Sequence, residues 1–259
     1  MVEEGKKLYL ENDCDFLIAI GGGSPIDTIK AIGAMLTNEG KITDYMGKLI
    51  PNPPPKLVAI PTTAGTGSEA TQFTIITDTV KDIKMLLIGP ELIPTLAVVD
   101  PELTLTVPPY VTAATGVDAL THAIEAFTSR KAQPMSDVFA LSAIKRIYNH
   151  LLPVYQDGNN YESRKEMALG ALEAGIAFNN SSVTIVHGMS RPIGALFGIP
   201  HGLSNAILLE DCLEFIKEGV IKEFAFLAKE LKLAKEGEKD EKAADIFVEA
   251  VIDLISKLN

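Results

Sequence analysis

Through its first hundred residues the chain alternates short apolar runs with glycine and proline turns. FLIAI (16–20), LVAI (57–60) and LAVVD (96–100) are near-continuous apolar runs, the pattern of parallel strands covered on both faces. Between the first two, residues 26–35 carry apolar side chains at helical spacing. FTIITD (73–78) and KMLLIG (84–89) predict a further strand pair, a hairpin beside that sheet. After TVPP (106–109) the apolar period changes to three and four. Helices are expected at 111–128, 135–153, 162–180, 183–196, 202–213, 217–230 and 239–257. The fold class is therefore a partial parallel-sheet α/β domain over 1–105 followed by an all-helical domain over 106–259. KEGEKDEK (235–242) fits a solvated connection between helices.

Composition narrows the function classes. The chain has 259 residues, 47% hydrophobic and 22% charged, as in a globular protein with a sizeable core. A net charge of −11 argues against a nucleic-acid partner or an anionic membrane surface. No window approaches 18 uncharged apolar residues, so no spanning helix is expected. Met1 leads straight into charged VEEGKK, unlike a secretory leader. Cys14 and Cys212 stand far apart in apolar settings and predict buried free thiols. A cytoplasmic location follows from these features.

Two glycine-rich loops change the picture. GGGSPID (21–27) follows a strand and opens a helix, where N–H groups of Gly22, Gly23 and Ser24 can surround phosphate oxygens. Pro25 suits the first helical turn. Asp27 would repel phosphate, and caps N–H groups or bonds a ribose or amide instead. The spacing departs from GxGxxG, and a plain glycine turn is the competing reading. PTTAGTGSEAT (61–71) also follows a strand, and its Thr62, Thr63 and Thr66 offer small hydroxyls beside a flexible backbone. It lacks the lysine of a Walker A loop. Lys84 is a later candidate donor to phosphate or ribose, or a solvated strand lysine. Two such loops at strand carboxyl ends predict one nucleotide crevice.

GVDALTHAIEAF (116–127) adds a second chemistry. Asp118 and His122 share one helical face at i and i+4, as metal ligands or as an ordinary ion pair. The chain has only four histidines, and His187 and His201 lie in VHGMSRPIGALFGIPHG among apolar residues, where an unpaired imidazole is costly. Asp118, His122, His187 and His201 make an N₃O set for a divalent transition metal; neither cysteine is placed to help. His150 reads as structural. A cation so held can polarise an alcohol or carbonyl oxygen, and beside a dinucleotide that chemistry is hydride transfer.

GGGSPIDTIKAIG, PTTAGTGSEAT, GVDALTHAIEAF and VHGMSRPIGALFGIPHG, in this order and spacing, resemble the iron-containing (group III) alcohol dehydrogenases from about Asp15 to Leu209. The resemblance implies a dehydroquinate synthase-like architecture, with cofactor and metal in the cleft between the two domains. It implies Fe²⁺, or Zn²⁺ as in some relatives, on Asp118, His122, His187 and His201. It also implies NAD(H) or NADP(H) at Gly22, Gly23, Ser24, Asp27, Thr62, Thr63, Thr66 and Lys84. The implied reaction interconverts a small primary alcohol and its aldehyde, and a homodimer is expected.

The sequence departs from that family in three places. Arg191 stands where many relatives carry a second histidine near the substrate, and a permanently charged guanidinium is a poor proton shuttle. Its proline-bounded position predicts a side chain reaching solvent, with an anionic substrate or cofactor contact as the alternative. Glu210 replaces a common proline. Relatives also extend beyond both ends, so the first strand is expected to show an exposed hydrophobic edge. Competing readings are a glycerol dehydrogenase-like enzyme, a dehydroquinate synthase-type lyase, and a catalytically weak metal- or nucleotide-binding remnant. The complete ligand quartet favours the iron-type branch.

Overall fold

The computed structural model describes residues 1–81 and 83–258. Helix α1 (Val2–Glu11) leads into strand β1 (Phe16–Gly21) and helix α2 (Gly23–Thr37), followed by β2 (Lys56–Pro61). β1 and β2 pair in parallel from Phe16↔Lys56 to Gly21↔Pro61. The short β5 (Leu96–Ala97) adds to the far side of β2, giving the order β1-β2-β5. β5 is shorter than LAVVD predicts. Beyond Val98, whose N–H still reaches the Ala59 carbonyl at 2.9 Å, Asp100 caps a turn by accepting from the Glu102 N–H.

Among the described residues only one face of this sheet is covered. Ala19, Leu57 and Ala59 pack on Ile26 and Ile29 of α2. On the other face Phe16, Ile18, Ile20 and Leu96 are exposed, and β1 is an edge strand. The continuous apolar runs predicted cover on both faces; here the second face is open. The expected exposed edge is present.

β3 (Phe73–Asp78) and β4 (Ile83–Ile88) form the expected hairpin as a separate antiparallel pair. Its Met85 and Leu87 pack on Ala31, Ala34 and Met35 of α2. Lys30, fully buried, ties the same helix to the hairpin by donating to the carbonyls of Thr71 and Phe73, each at 2.8 Å.

The remainder is helical: α3 (Pro109–Thr128), α4 (Pro134–Gln156), α5 (Tyr161–Asn180), α6 (Ile185–Phe197), α7 (His201–Ile216), α8 (Ile221–Glu230) and α9 (Asp240–Ser256). One core runs through all of them except α6's outer turns, from Leu120 and Ile124 to Phe224 and Phe247. Helix α4 continues past Pro153, because the ring removes a donor only in the last turn. α8 starts after a separate turn at Lys217–Gly219 rather than at 217. Among the described residues no helix is long and apolar enough to cross a membrane. Both cysteines are free, but Cys14 is exposed where its apolar neighbours predicted burial; it lies in the loop after α1, before the sheet begins.

Candidate metal centre and cofactor cleft

Helix α3 is buried along nearly its whole length, and it carries Asp118 and His122 on adjacent turns of one face. Helix α6 brings His187, and the first residue of α7 is His201. α7 can approach because residue 202 is glycine: a Cβ there would lie 2.3 Å from the Ala114 carbonyl oxygen of α3. That contact sets His201 over the turn that precedes Asp118.

The four side chains converge. The Oδ1 of Asp118 lies 3.9 Å from His122 Nε2, 3.4 Å from His187 Nε2 and 3.6 Å from His201 Nε2. Ligand atoms of the quartet all fall within 4.8 Å of one another. Four ligands about 2.1 Å from a tetrahedral cation stand about 3.4 Å apart, so the quartet fits a divalent ion with little movement. The donor chemistry agrees: three ring nitrogens face one carboxylate oxygen at separations too long for good hydrogen bonds. His122 is stacked between Phe178 and His187, each at 4.4 Å. Of the four only His201 is partly open, so the centre is reached from that side.

Charge is arranged to match. Burial alone would raise the Asp118 carboxyl, but the imidazoles around it, His122 foremost, hold it well below the usual range. Burial pushes His122 down to about 3, against the pull of Asp118, so it is neutral and has a lone pair to give. Burial likewise lowers His201, with Asp118 opposing and His187, Arg191 and Lys84 adding to the fall.

Two further residues complete the centre, and neither was singled out in the sequence. Asn205 is fully buried and donates from its amide to Asp118 Oδ1 at 2.6 Å, which orients the carboxylate. Glu125, also buried, receives the Nδ1 of His187 at 2.5 Å. A signal existed for both. Asp118, His122 and Glu125 follow i, i+4, i+7 along one face of a largely apolar helix, and Asn205 lies one turn after His201.

The two glycine loops meet. The Thr62 N–H donates to the Gly21 carbonyl at 3.0 Å, and a Cβ on Gly22 or Gly23 would touch Thr63 or Thr66. Among the described residues no side chain caps the start of α2. Asp27 has a bracing task in the structure: its two oxygens accept from the Ser68 hydroxyl at 2.6 Å and the Ile75 N–H at 2.9 Å. The second loop docks on the helical part through Gly67, at φ +61°, where a Cβ would lie 2.6 Å from the Cα of Gly175 in α5. Gly65 in turn abuts Thr115, one turn before Asp118. Lys84 extends from β4 toward Gly194 of α6. His150 is not part of the quartet and has Ser163 as its partner at 3.2 Å.

Arg191 differs from its solvent-facing expectation. SRPIG lies within α6, inside the helix expected over 183–196, and places Arg191 four residues after His187 on the same face. The side chain is half-buried, and its Nε is enclosed with no hydrogen-bond partner among the described residues.

Comparison with known families decides the lineage. Residues 1–101 match "Iron-containing alcohol dehydrogenase" and residues 112–259 match "Fe-containing alcohol dehydrogenase family, C-terminal". The chain belongs to the iron-containing alcohol dehydrogenase family. It is 39% identical to the choline dehydrogenase of Bacillus subtilis (strain 168) over 262 residues, covering 100% of this chain and 65% of that protein. The crystal structure of a 1,3-propanediol oxidoreductase superposes with a TM-score of 0.96 at 36% identity, covering 100% of this chain and 68% of the other. The sulfoacetaldehyde reductase of Bifidobacterium kashiwanohense, solved in complex with NAD⁺, gives a TM-score of 0.90 at 34% identity, covering 100% of this chain and 67% of the other. This family member thus spans about two thirds of the length of those relatives.

Proposed function

We propose that this chain carries the metal- and dinucleotide-binding parts of an oxidoreductase that interconverts a small primary alcohol and its aldehyde with NAD(P)(H). The observation that carries the reading is the convergence of Asp118, His122, His187 and His201 within 4.8 Å. When bound there, Fe²⁺ or Zn²⁺ supplies Lewis acidity toward the substrate oxygen, and the nicotinamide dinucleotide gives or takes the hydride.

The chain's own residues prepare that chemistry. Asp118 stays ionised, burial holds His122 and His201 below the usual imidazole range, and His187, raised by Asp118 and Glu125 against the effect of burial, would give up its Nε2 proton to a cation. The N–H groups of Gly22, Gly23 and Ser24 bind phosphate at the uncapped start of α2. Thr62, Thr63 and Thr66 furnish hydroxyls to the same dinucleotide, and Lys84 reaches its ribose or phosphate across the cleft. Asp27 holds the two loops at their working separation. The contacts of Gly65 and Gly67 seat the second loop against α3 and α5, which fixes the distance between cofactor and cation.

Arg191 favours a second reading of the substrate class. A half-enclosed guanidinium whose Nε has no hydrogen-bond partner among the described residues, on the His187 face, suits an aldehyde that carries an anionic group. The active form under this proposal is a homodimer. Steady-state NADH oxidation with a panel of small aldehydes, after anaerobic loading with Fe²⁺, tests the activity. Turnover that requires both metal and cofactor supports it, and binding of only one of them identifies a remnant.

A further inference from the structure

We infer that Glu125 is a positioning residue that fixes the tautomer of His187, so that its Nε2 lone pair faces the cation. The inference rests on the metal reading above and extends it to a residue outside the ligand quartet.

Glu125 lies on α3 one turn beyond His122 and is 1% exposed. Its Oε1 accepts from the Thr184 hydroxyl at 2.8 Å and from the Val186 N–H at 2.7 Å. Its Oε2 faces His187 Nδ1 at 2.5 Å. An ionised carboxylate only accepts, so the ring nitrogen opposite it carries the proton. A neutral imidazole then has its lone pair on Nε2, the atom that stands 3.4 Å from Asp118 Oδ1. The Thr184 and Val186 bonds also fix the start of α6, so the same carboxylate aims the ring and selects its donor atom. His122 provides an internal contrast: its Nδ1 is buried with no partner among the described residues, so nothing comparable fixes its tautomer.

Glu125→Gln isolates this role. Glutamine has nearly the same shape and keeps one carbonyl oxygen for Thr184 and Val186, but it then presents an NH₂ to His187 Nδ1. The reverse orientation sets that NH₂ against the Val186 N–H, which cannot accept. The ring is thereby pushed toward Nε2–H, which cannot bind a metal. The probe is Zn²⁺, titrated into the full chain against a competing chelator. Long-range ¹H–¹⁵N spectra of the metal-free protein, at a pH where His187 is neutral and with His187 assigned through His187→Gln, report the tautomer.

The wild type is expected to bind zinc through Nε2 with Nδ1 protonated. Glu125→Gln should bind about 10–100-fold more weakly and lose the Nδ1–H signature. Glu125→Asp, which retains the charge and the acceptor, should recover part of the affinity, and it also serves if the glutamine variant misfolds. Affinity within about twofold of wild type in Glu125→Gln overturns the inference while leaving the metal reading intact. So does weakened binding in which metal-free His187 keeps its Nδ1–H pattern, because charge alone then explains the loss. So does an aspartate variant that binds less well than the glutamine. A wild type that binds no zinc overturns the metal reading and this inference together.

Discussion

Replacing Gly202 with alanine perturbs the centre without touching a ligand atom. The added Cβ would lie 2.3 Å from the Ala114 carbonyl oxygen and 2.7 Å from its carbonyl carbon, against an ordinary contact of 3.4–4 Å. Those are backbone atoms of α3, which is buried on both sides, so neither can rotate away. The first turn of α7 must therefore lift by about 1 Å. Overpacking of this kind costs about 1–3 kcal/mol, offset by up to about 1 kcal/mol from exchanging glycine for alanine in a helix. A net loss of about 1–2 kcal/mol corresponds to a fall in Tm of about 2–8 °C for a protein of this size. The effect on metal should be larger than the effect on stability. His201 moves with its neighbour, whereas a metal–ligand distance tolerates about 0.2 Å. The assay is zinc affinity by chelator competition, paired with thermal melting of the metal-free protein. Affinity is expected to fall about tenfold or more, as for other disturbances of ligand position. Gly219→Ala, whose Cβ meets nothing within 4 Å, is the control and should change neither quantity. A Gly202→Ala protein with wild-type affinity and wild-type Tm would refute the reasoning.

Other expectations follow from the same geometry. Gly22→Val should fold, since its Cβ meets only Thr63 at 3.2 Å or more, but crowd the phosphate approach; calorimetric titration should show weaker NAD(H) binding with zinc affinity unchanged. Burial pulls the Lys30 ammonium down to about 8 from 10.5, so between those pH values the unfolded chain holds a proton that the folded chain has released. Wild-type stability should therefore rise with pH relative to Lys30→Met, by about 2 kcal/mol from pH 7.5 to 9.5 in urea unfolding, and a constant difference would refute it. Arg191→His should lower kcat/KM for carboxylated aldehydes relative to matched neutral ones if the guanidinium meets the substrate; unchanged discrimination assigns it elsewhere.

The metal quartet was legible because histidine is scarce and because i, i+4 spacing has one geometric meaning on a helix. The order of elements was legible for a similar reason, as the apolar period changes sharply after Pro109. Glu125 carried only its i+7 place on the face of Asp118 and His122, a weak signal because a glutamate in a helix ordinarily reads as a solvated face, and its partners Thr184, Val186 and His187 arrive from about sixty positions away. The docking of the second loop was equally hidden. Gly67 and Gly175 meet backbone to backbone, and a glycine in a sequence does not announce which neighbour it admits. The enclosure of Arg191 was hidden because Pro192 lies within α6, which turns the preceding residue onto the His187 face. The open face of the sheet was invisible because an apolar run records what a strand can bury, not what covers it.

X-ray absorption at the metal edge of the chain loaded with one equivalent of Fe²⁺ or Zn²⁺ tests the central claim most directly. The account predicts one tightly held ion per chain with three imidazole nitrogens and a carboxylate oxygen at about 2.0–2.2 Å, and loss of one imidazole in His201→Ala. An ion bound without histidine ligands, or with the same coordination in wild type and His201→Ala, would contradict it.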